Sequence, residues 1–430
     1  MFYLPYSHIY AIICSTIGSV HTYIPFMAIE KEAYREAPTP VSRPLLGRSV
    51  LVINGSAVDE GDVRVQRTTA RAMRDLGAEI RVLSRAGDAA DKYKADDFPV
   101  TTINAPRVHH NKARQAIELG IFLAKGYPMA RSADAIHTHD RTLGVQAAFT
   151  LARVNNKGIF KHVNNAYMFG DPSQNGRYKL ADSLDRNHYL WISRYVEAEA
   201  RKAGVKGPGS ILLNSLTSQP SSMSKEDARE ALGIPVGQRA AVVVGRLNQH
   251  KGQDVFLHAL ADKRVRELGV HGYIVGNAEG ADGEQYEKKL HELVPALGIA
   301  DTTHFLGRRD GNMAFRAATV AVVPTRGRGE PFGLVGIEAS ANGAPVISTK
   351  NGAALEIFTH NKTGLLVEPD NPQALADALV DLFRHPRKGC SLAAAASHDH
   401  KWKFSYGRFV QDLAGIVTSD AGRKVFSSGK

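Results

Sequence analysis

The sequence predicts an α/β protein built from two doubly wound parallel-sheet domains that face a cleft. Three observations carry this. Short apolar runs recur along the chain, and each is followed by a stretch of helical periodicity. That is βαβ spacing, which requires parallel neighbours. The series starts at Ser49 and starts afresh after Asn214, which implies two units. A length of 430 residues gives two or three domains with ample core. In such sheets ligands sit beyond the strand C-termini.

The elements follow in order. Met1–Ile29 carries no Asp, Glu, Lys or Arg. It lacks the basic n-region of a signal peptide and has too many polar residues and prolines for a good membrane span. Two readings stand: a loosely ordered extension, with Met27 as an alternative start, or a membrane-seeking segment. Glu30–Gly47 is polar and proline-containing and reads as a linker. SVLVIN from Ser49 reads as a buried strand, a helix is expected from about Val63 to Leu76, and EIRVLSR is strand two. ADAIHTH and GIFKHV read as later strands, and WISRYVEAEARKAGV as strand, helix and glycine stop. In the second unit, Ser224 and Asp227 resemble a capping box for a helix ending at Gly233. AAVVVG, a helix from Lys251, GYIVG, a helix near Glu284–Leu297, THFLG, VAVVPT, PVIST, GLLVEP and a helix over Pro372–Phe383 complete it. The domains expected are 1–47 (extension and linker), 48–215, 216–400, and 401–430, a crossing helix and tail.

The formal charge is +11, and roughly eight of the excess positive charges precede Ser215. A basic front half suits an anionic membrane surface or a phosphorylated acceptor. No zinc-finger, RRM or basic-helix signature occurs, so nucleic acid is not an expected partner. With only Cys14 and Cys390, no disulfide framework is implied, and a reducing, cytoplasmic setting fits.

The chemistry concentrates in GEPFGLVGIEASANGAPVIST, Gly329–Thr349. Glu330 lies in the loop beyond a strand, and Glu338 about a turn into the next helix. That helix starts near Leu334, and its free N–H groups suit phosphate. A carboxylate beside a phosphate site repels phosphate, so its expected partner is a sugar or ribose hydroxyl. Upstream, GRLNQHKG places Arg246 and Lys251 in a strand-to-helix loop. Two cations there can neutralise a diphosphate without metal.

These residues resemble the donor-site signature of retaining GT-B glycosyltransferases of family four, the glycosyl transferases group 1. The resemblance implies two Rossmann-like domains and a C-terminal helix, seen in KWKFSYGRFVQDL, that returns to the first domain. It implies that Glu330 meets the donor sugar and Glu338 the ribose, within the matching run Phe332, Gly333, Leu334 and Val335. Gly245, Arg246 and Lys251 match the family's G-R-L-x-x-x-K-G element. Asp62–Val63–Arg64–Val65 resembles the family's D-x-R-V element, which extends the implied donor site weakly to Gly61. His162 matches a histidine that ends a strand facing the donor sugar, and a satisfied buried histidine is the alternative. His139–Asp140 resembles the preceding H-x-H-D element. In Gly352–Ala353–Ala354–Leu355–Glu356 an alanine replaces the second glycine of the family's Gly-Gly-x-x-Glu, which puts a close backbone contact there in question. Arg64, Arg67, Arg71 and Arg74 share a helical stripe, either a solvated face or a contact for membrane or acidic acceptor. No Asp-x-Asp occurs, and no metal or cofactor is expected. His137 and His139 point to one strand face, but no third ligand is indicated.

The function expected is transfer of a hexose-type sugar from a nucleotide diphosphate to an acceptor hydroxyl of a sugar, polysaccharide or lipid-linked acceptor, in cell-surface polysaccharide or glycolipid synthesis. The alternatives are a noncatalytic nucleotide-sugar or carbohydrate-binding scaffold, and an epimerase or phosphorylase on the same fold. Base, sugar, acceptor and oligomeric state are not legible.

Overall fold

The computed structural model describes residues 42–58, 61–104, 112–139, 142–165, 182–184, 186–216, 218–327 and 329–427. Met1–Ile29, most of the linker and Asp140 lie outside them.

The first sheet contains β1 (Ser49–Asn54), β2 (Glu79–Arg85), β3 (Val100–Ile103), β4 (Ala135–Thr138), β5 (Gly158–Val163), β6 (Asn187–Trp191) and β7 (Gly209–Ile211), in the order 3-2-1-4-5-6-7. The second contains β8 (Arg239–Val244), β9 (Val270–Val275), β10 (Thr303–Gly307), β11 (Val320–Val323), β12 (Val346–Thr349) and β13 (Leu365–Val367), in the order 10-9-8-11-12-13. Every described pairing is parallel. Helices cover both faces, so central strands such as VAVV and GIFKHV are buried along their whole length. Each sheet reverses its strand order once, between β1 and β4 and between β8 and β11. Those switch points are where doubly wound sheets open a crevice at their carboxyl edge.

Ser224 caps helix Lys225–Leu232 by accepting from the Asp227 N–H, and Gly233 ends it in the left-handed region. The first helix runs Gly61–Asp75, not Val63–Leu76. Lys251 closes a 3-10 turn, Gln249–Lys251, and the following helix begins only at Gln253. The helix expected near Glu284 already starts at Gly280.

The C-terminal crossing consists of more than one helix. Pro386–Lys403 breaks at Phe404, Ser405 caps Tyr406–Thr418, and a short helix, Asp420–Val425, follows. Phe409, Val410, Leu413, Ile416, Val417, Val425 and Phe426 join the core that Val50, Val52, Met73 and Leu190 form beneath the first sheet. Each such burial stabilises by roughly 1.5–3 kcal/mol. Tyr406 adds a 2.6 Å hydrogen bond to Asp75 on the first helix.

Candidate active site

The two carboxyl edges meet. Ser193, just beyond β6, donates a 2.7 Å hydrogen bond to the Pro331 carbonyl, in the loop beyond β11. The candidate residues of the second domain hang from its switch point, in the loops after β8 and β11.

The loop after β8 is shaped by its sequence. The Asn248 side chain accepts from the Lys251 N–H at 3.1 Å, and Gly252 follows with φ 70°. A Cβ at Gly252 would collide with the Pro324 carbonyl, so only glycine lets the two loops close on each other. This aims Lys251 at Glu330, with Nζ 2.8 Å from Oε2 and each side chain 19% exposed. Thr325 lies 3.4 Å from the same oxygen. Burial pushes the Glu330 carboxyl up, but the Lys251 charge and hydrogen bond, with His250 and Thr325, outweigh it and hold it below the ordinary value. Gly245 lies beside the Lys251 stem, where an added Cβ would stand 3.7 Å from Cδ. Arg246 pairs with Glu279 at 3.2 Å, both well exposed. The two expected diphosphate cations therefore already carry carboxylate partners.

Helix Leu334–Ala341 begins after Gly333 with no side-chain cap. Glu338 on it accepts from the Ser218 hydroxyl at 3.2 Å, and Asn312 holds Ser218 in turn at 3.1 Å. Burial pushes the Glu338 carboxyl up, against the opposing influence of Ser218 and of Arg64 from the first domain. Leu334 and Val335 form the first turn of that helix. The Phe332 ring is buried edge-on against Phe404, 5.7 Å between centroids, so it serves packing.

In the first domain, His162 ends β5 and is wholly buried. Thr69 Oγ1 donates to the Val65 carbonyl at 2.9 Å and lies 3.3 Å from His162 Nδ1. With its own proton spent on Val65, Thr69 is left to accept, which puts the imidazole proton on Nδ1. Burial first, and then the electrostatic influence of His139, lowers the His162 pKa to about 3, so the ring is neutral. Its Nε2 is then a lone-pair acceptor that is buried without a partner among the described residues. His137 is likewise buried, 6.1 Å from His162 between ring centroids. His139 bonds Asn54 at 3.1 Å. Among the described residues no group of three His, Cys, Asp or Glu could hold a metal ion.

Gly61 is the first helical residue and has no left-handed φ. Nothing lies within 4 Å of where its Cβ would stand, so its place needs no glycine. The arginine stripe divides. Arg67 and Arg71 pair with Asp96, and Arg74 donates to the Asp96 carbonyl and lies over Phe98. These three clamp the end of a neighbouring helix, while Arg64 acts toward Glu338. No helix of the described residues is long and apolar enough to cross a membrane.

Sequence reasoning missed Ser218, Thr325 and Glu279, which no local pattern marks. Asn248 could have been found, because Asn three residues before Lys-Gly is a cap signal. The substituted Gly-Gly-x-x-Glu element is also settled. The close approach is made by Gly352, whose Cβ would strike the Glu330 backbone, while the Ala353 N–H donates to the Glu330 carbonyl at 2.9 Å. Alanine is tolerated there because only its amide is needed.

Residues 224–398 match the family model described as glycosyl transferases group 1. A D-inositol 3-phosphate glycosyltransferase of Corynebacterium urealyticum is 35% identical over 199 residues, 45% of this chain and 46% of that protein. The match thus spans about half of that relative's length. The like-named protein of Corynebacterium aurimucosum is 27% identical over 386 residues, 81% of this chain and 88% of that protein. Among solved structures, Anabaena HepE in complex with UDP-glucose is similar with a TM-score of 0.73 at 21% identity, covering 86% of this chain and 99% of that one. Sucrose-phosphate synthase from Thermosynechococcus elongatus gives 0.71 at 20% identity, covering 86% and 98%. The chain has the GT-B fold, and its second domain carries the match to the glycosyl transferases group 1.

Proposed function

We propose that the chain is a retaining, metal-independent hexosyltransferase that moves a hexose-type sugar from a nucleotide diphosphate to an acceptor hydroxyl. The observation that carries this is the Lys251–Glu330 pair at the carboxyl edge of β11, where a cation and a carboxylate stand 2.8 Å apart on neighbouring loops. A nucleotide sugar presents the complementary pair, a diphosphate next to sugar hydroxyls. Its diphosphate draws Lys251 and Arg246 from Glu330 and Glu279, and the freed Glu330 accepts from sugar hydroxyls. Glu338 accepts from the ribose, and His162 Nε2 from a sugar hydroxyl. Gly245, Gly333, Leu334 and Val335 line the diphosphate side with backbone, Phe332 holds the loop from behind, and Gly61 starts the facing helix.

In the reaction the bond from sugar C1 to the β-phosphate oxygen breaks as the acceptor oxygen bonds C1 on the same face. The acceptor proton passes to the leaving phosphate oxygen, so no side-chain base is assigned. Lys251 and Arg246 stabilise the charge that develops on the diphosphate. The UDP-glucose complex of the HepE neighbour supports a nucleotide-sugar donor. A saccharide or lipid-linked acceptor at a cell-surface polysaccharide or glycolipid, met from the cytoplasmic side, fits the charge of +11. The Arg67–Arg71–Arg74 stripe does not support a membrane contact, because Asp96 engages all three. Division at residues 47 and 215 fits the two sheets, whereas residue 400 falls inside helix Pro386–Lys403, and the returning helix begins only after the break at Phe404.

Incubation with a panel of nucleotide sugars, scoring binding and hydrolysis, tests this reading. Binding and slow hydrolysis of at least one donor are expected. Binding without any turnover in the presence of acceptors would favour a scaffold.

A further inference from the structure

We propose that Ser193 and Glu356 form a joint through which the first domain positions the donor-sugar loop, making both positioning residues for Glu330. This rests on the hexosyltransferase reading of that loop. Glu356 belongs to the second domain, yet both of its carboxylate oxygens bond the first domain. Oε1 accepts from the Tyr195 N–H at 2.8 Å, and Oε2 from the Arg194 N–H at 3.0 Å. These amides open helix Arg194–Lys202, whose four first N–H groups have no partner within the helix. Ser193 satisfies a third by accepting from Val196 at 3.1 Å, and its hydroxyl proton goes across to Pro331. A carboxylate at a helix N-terminus is favoured by the dipole as well as by the bonds.

The joint connects directly to Glu330. Pro331 is its chain neighbour. On the other side Gly352 bridges to Glu330 and the Ala353 amide donates to its carbonyl, three residues before Glu356. The Glu330 backbone is thus held between two bonds that reach the same helix end. The crossing segment closes the joint from behind. Lys403 donates to the Glu356 carbonyl at 2.7 Å, His400 Nε2 lies 3.0 Å from the Ile357 carbonyl, and Phe404 packs on Phe332. Neither Ser193 nor Glu356 touches Lys251, Arg246 or Glu338, so the joint sets where the sugar carboxylate stands without forming the diphosphate or ribose contacts.

The test compares Ser193→Ala/Glu356→Ala with wild type and with Ser193→Thr, which keeps the hydroxyl. A small misplacement of a sugar-binding carboxylate is felt in the transition state. The double variant should lose about tenfold or more in kcat while its Kd for free nucleoside diphosphate stays within about twofold, and Ser193→Thr should stay near wild type. A second readout needs no activity. With Cys14 and Cys390 changed to Ser, spin labels at Val154→Cys and Val236→Cys, both exposed, report the inter-domain distance. The distribution should be broader in the double variant than in wild type. An unchanged distribution, or Kd weakening in step with kcat, would overturn the joint. If wild type turns over no nucleotide sugar, the hexosyltransferase reading fails first, and the distance distribution still decides whether the domains are joined here.

Discussion

Removal of the Lys251 ammonium should have two effects that separate. In Lys251→Ala the Glu330 carboxylate, 19% exposed in the intact pair, loses its main counter-charge. Exposed ion pairs contribute about 0–1 kcal/mol, and breaking a fully buried pair costs about 3–5 kcal/mol. This pair lies between, so a loss of about 2 kcal/mol is expected, about 4–8 °C in Tm for a domain of about 200 residues. Burial then dominates at Glu330, and its pKa should rise above the ordinary value rather than lie below it. Turnover should fall by about 10²–10³, the scale of one lost charge-stabilising donor. Lys251→Ala/Glu330→Gln removes the stranded charge, so most of the Tm should return while turnover does not. Calorimetry and donor-turnover assays on the three variants measure both effects. Wild-type turnover in Lys251→Ala, or turnover recovered together with Tm in the double variant, would refute the assignment.

Glu338→Gln should mainly weaken nucleotide binding and Glu330→Gln mainly lower kcat, because a ribose contact is similar in ground and transition states; equal effects on both parameters in both variants would contradict this. Glu338 is raised, so it protonates before Glu330 as pH falls. Nucleotide affinity should drop through an acid limb above pH 4.5 that titration calorimetry finds flattened in Glu338→Gln. Glu279→Gln frees Arg246 from an exposed pair worth about 0.2–1 kcal/mol, so nucleoside diphosphates should bind about 1.5–5-fold tighter at low salt, and unchanged or weaker binding would count against the exchange of partners. The buried neutral His162 has a depressed pKa, so the unfolded chain binds more protons below pH 6.5 and stability is lost as pH falls from there toward about 3. The loss is at most about 1.4 kcal/mol per pH unit for this group. Denaturant titrations across pH 7 to 5 should show a shallower slope in His162→Asn.

Much of the fold was legible because its signals are local. Continuous apolar runs such as AAVVVG and VAVVPT announce parallel strands, and Ser224 and Gly233 mark helix ends through side-chain and φ chemistry. The strands Val100–Ile103 and Gly209–Ile211 escaped, being short and only partly buried. The helix Lys112–Ser132 escaped too, since its apolar residues do not gather on one strong face and it carries Pro128, a residue that ordinarily signals a helix end. In the site, Glu330, Lys251 and Arg246 were readable as residues, but their present partners were not. The spacing of Lys251 and Glu330 in sequence says nothing of a 2.8 Å contact made by two loops of one switch point. Glu356 shows the limit most clearly. Its local element gave it no partner, whereas its bonds run to a helix 161 and 162 positions away in the other domain.

The central claim, metal-free sugar transfer with retention, is tested most directly by the anomer first released. Proton NMR would follow hydrolysis or transfer from an α-linked nucleotide hexose by the full chain in excess EDTA. The account predicts that the α-configured sugar or glycoside appears first and that added magnesium leaves the rate unchanged. A β-configured first product would contradict retention. No release until magnesium is supplied would contradict a site in which Lys251 and Arg246 alone meet the diphosphate.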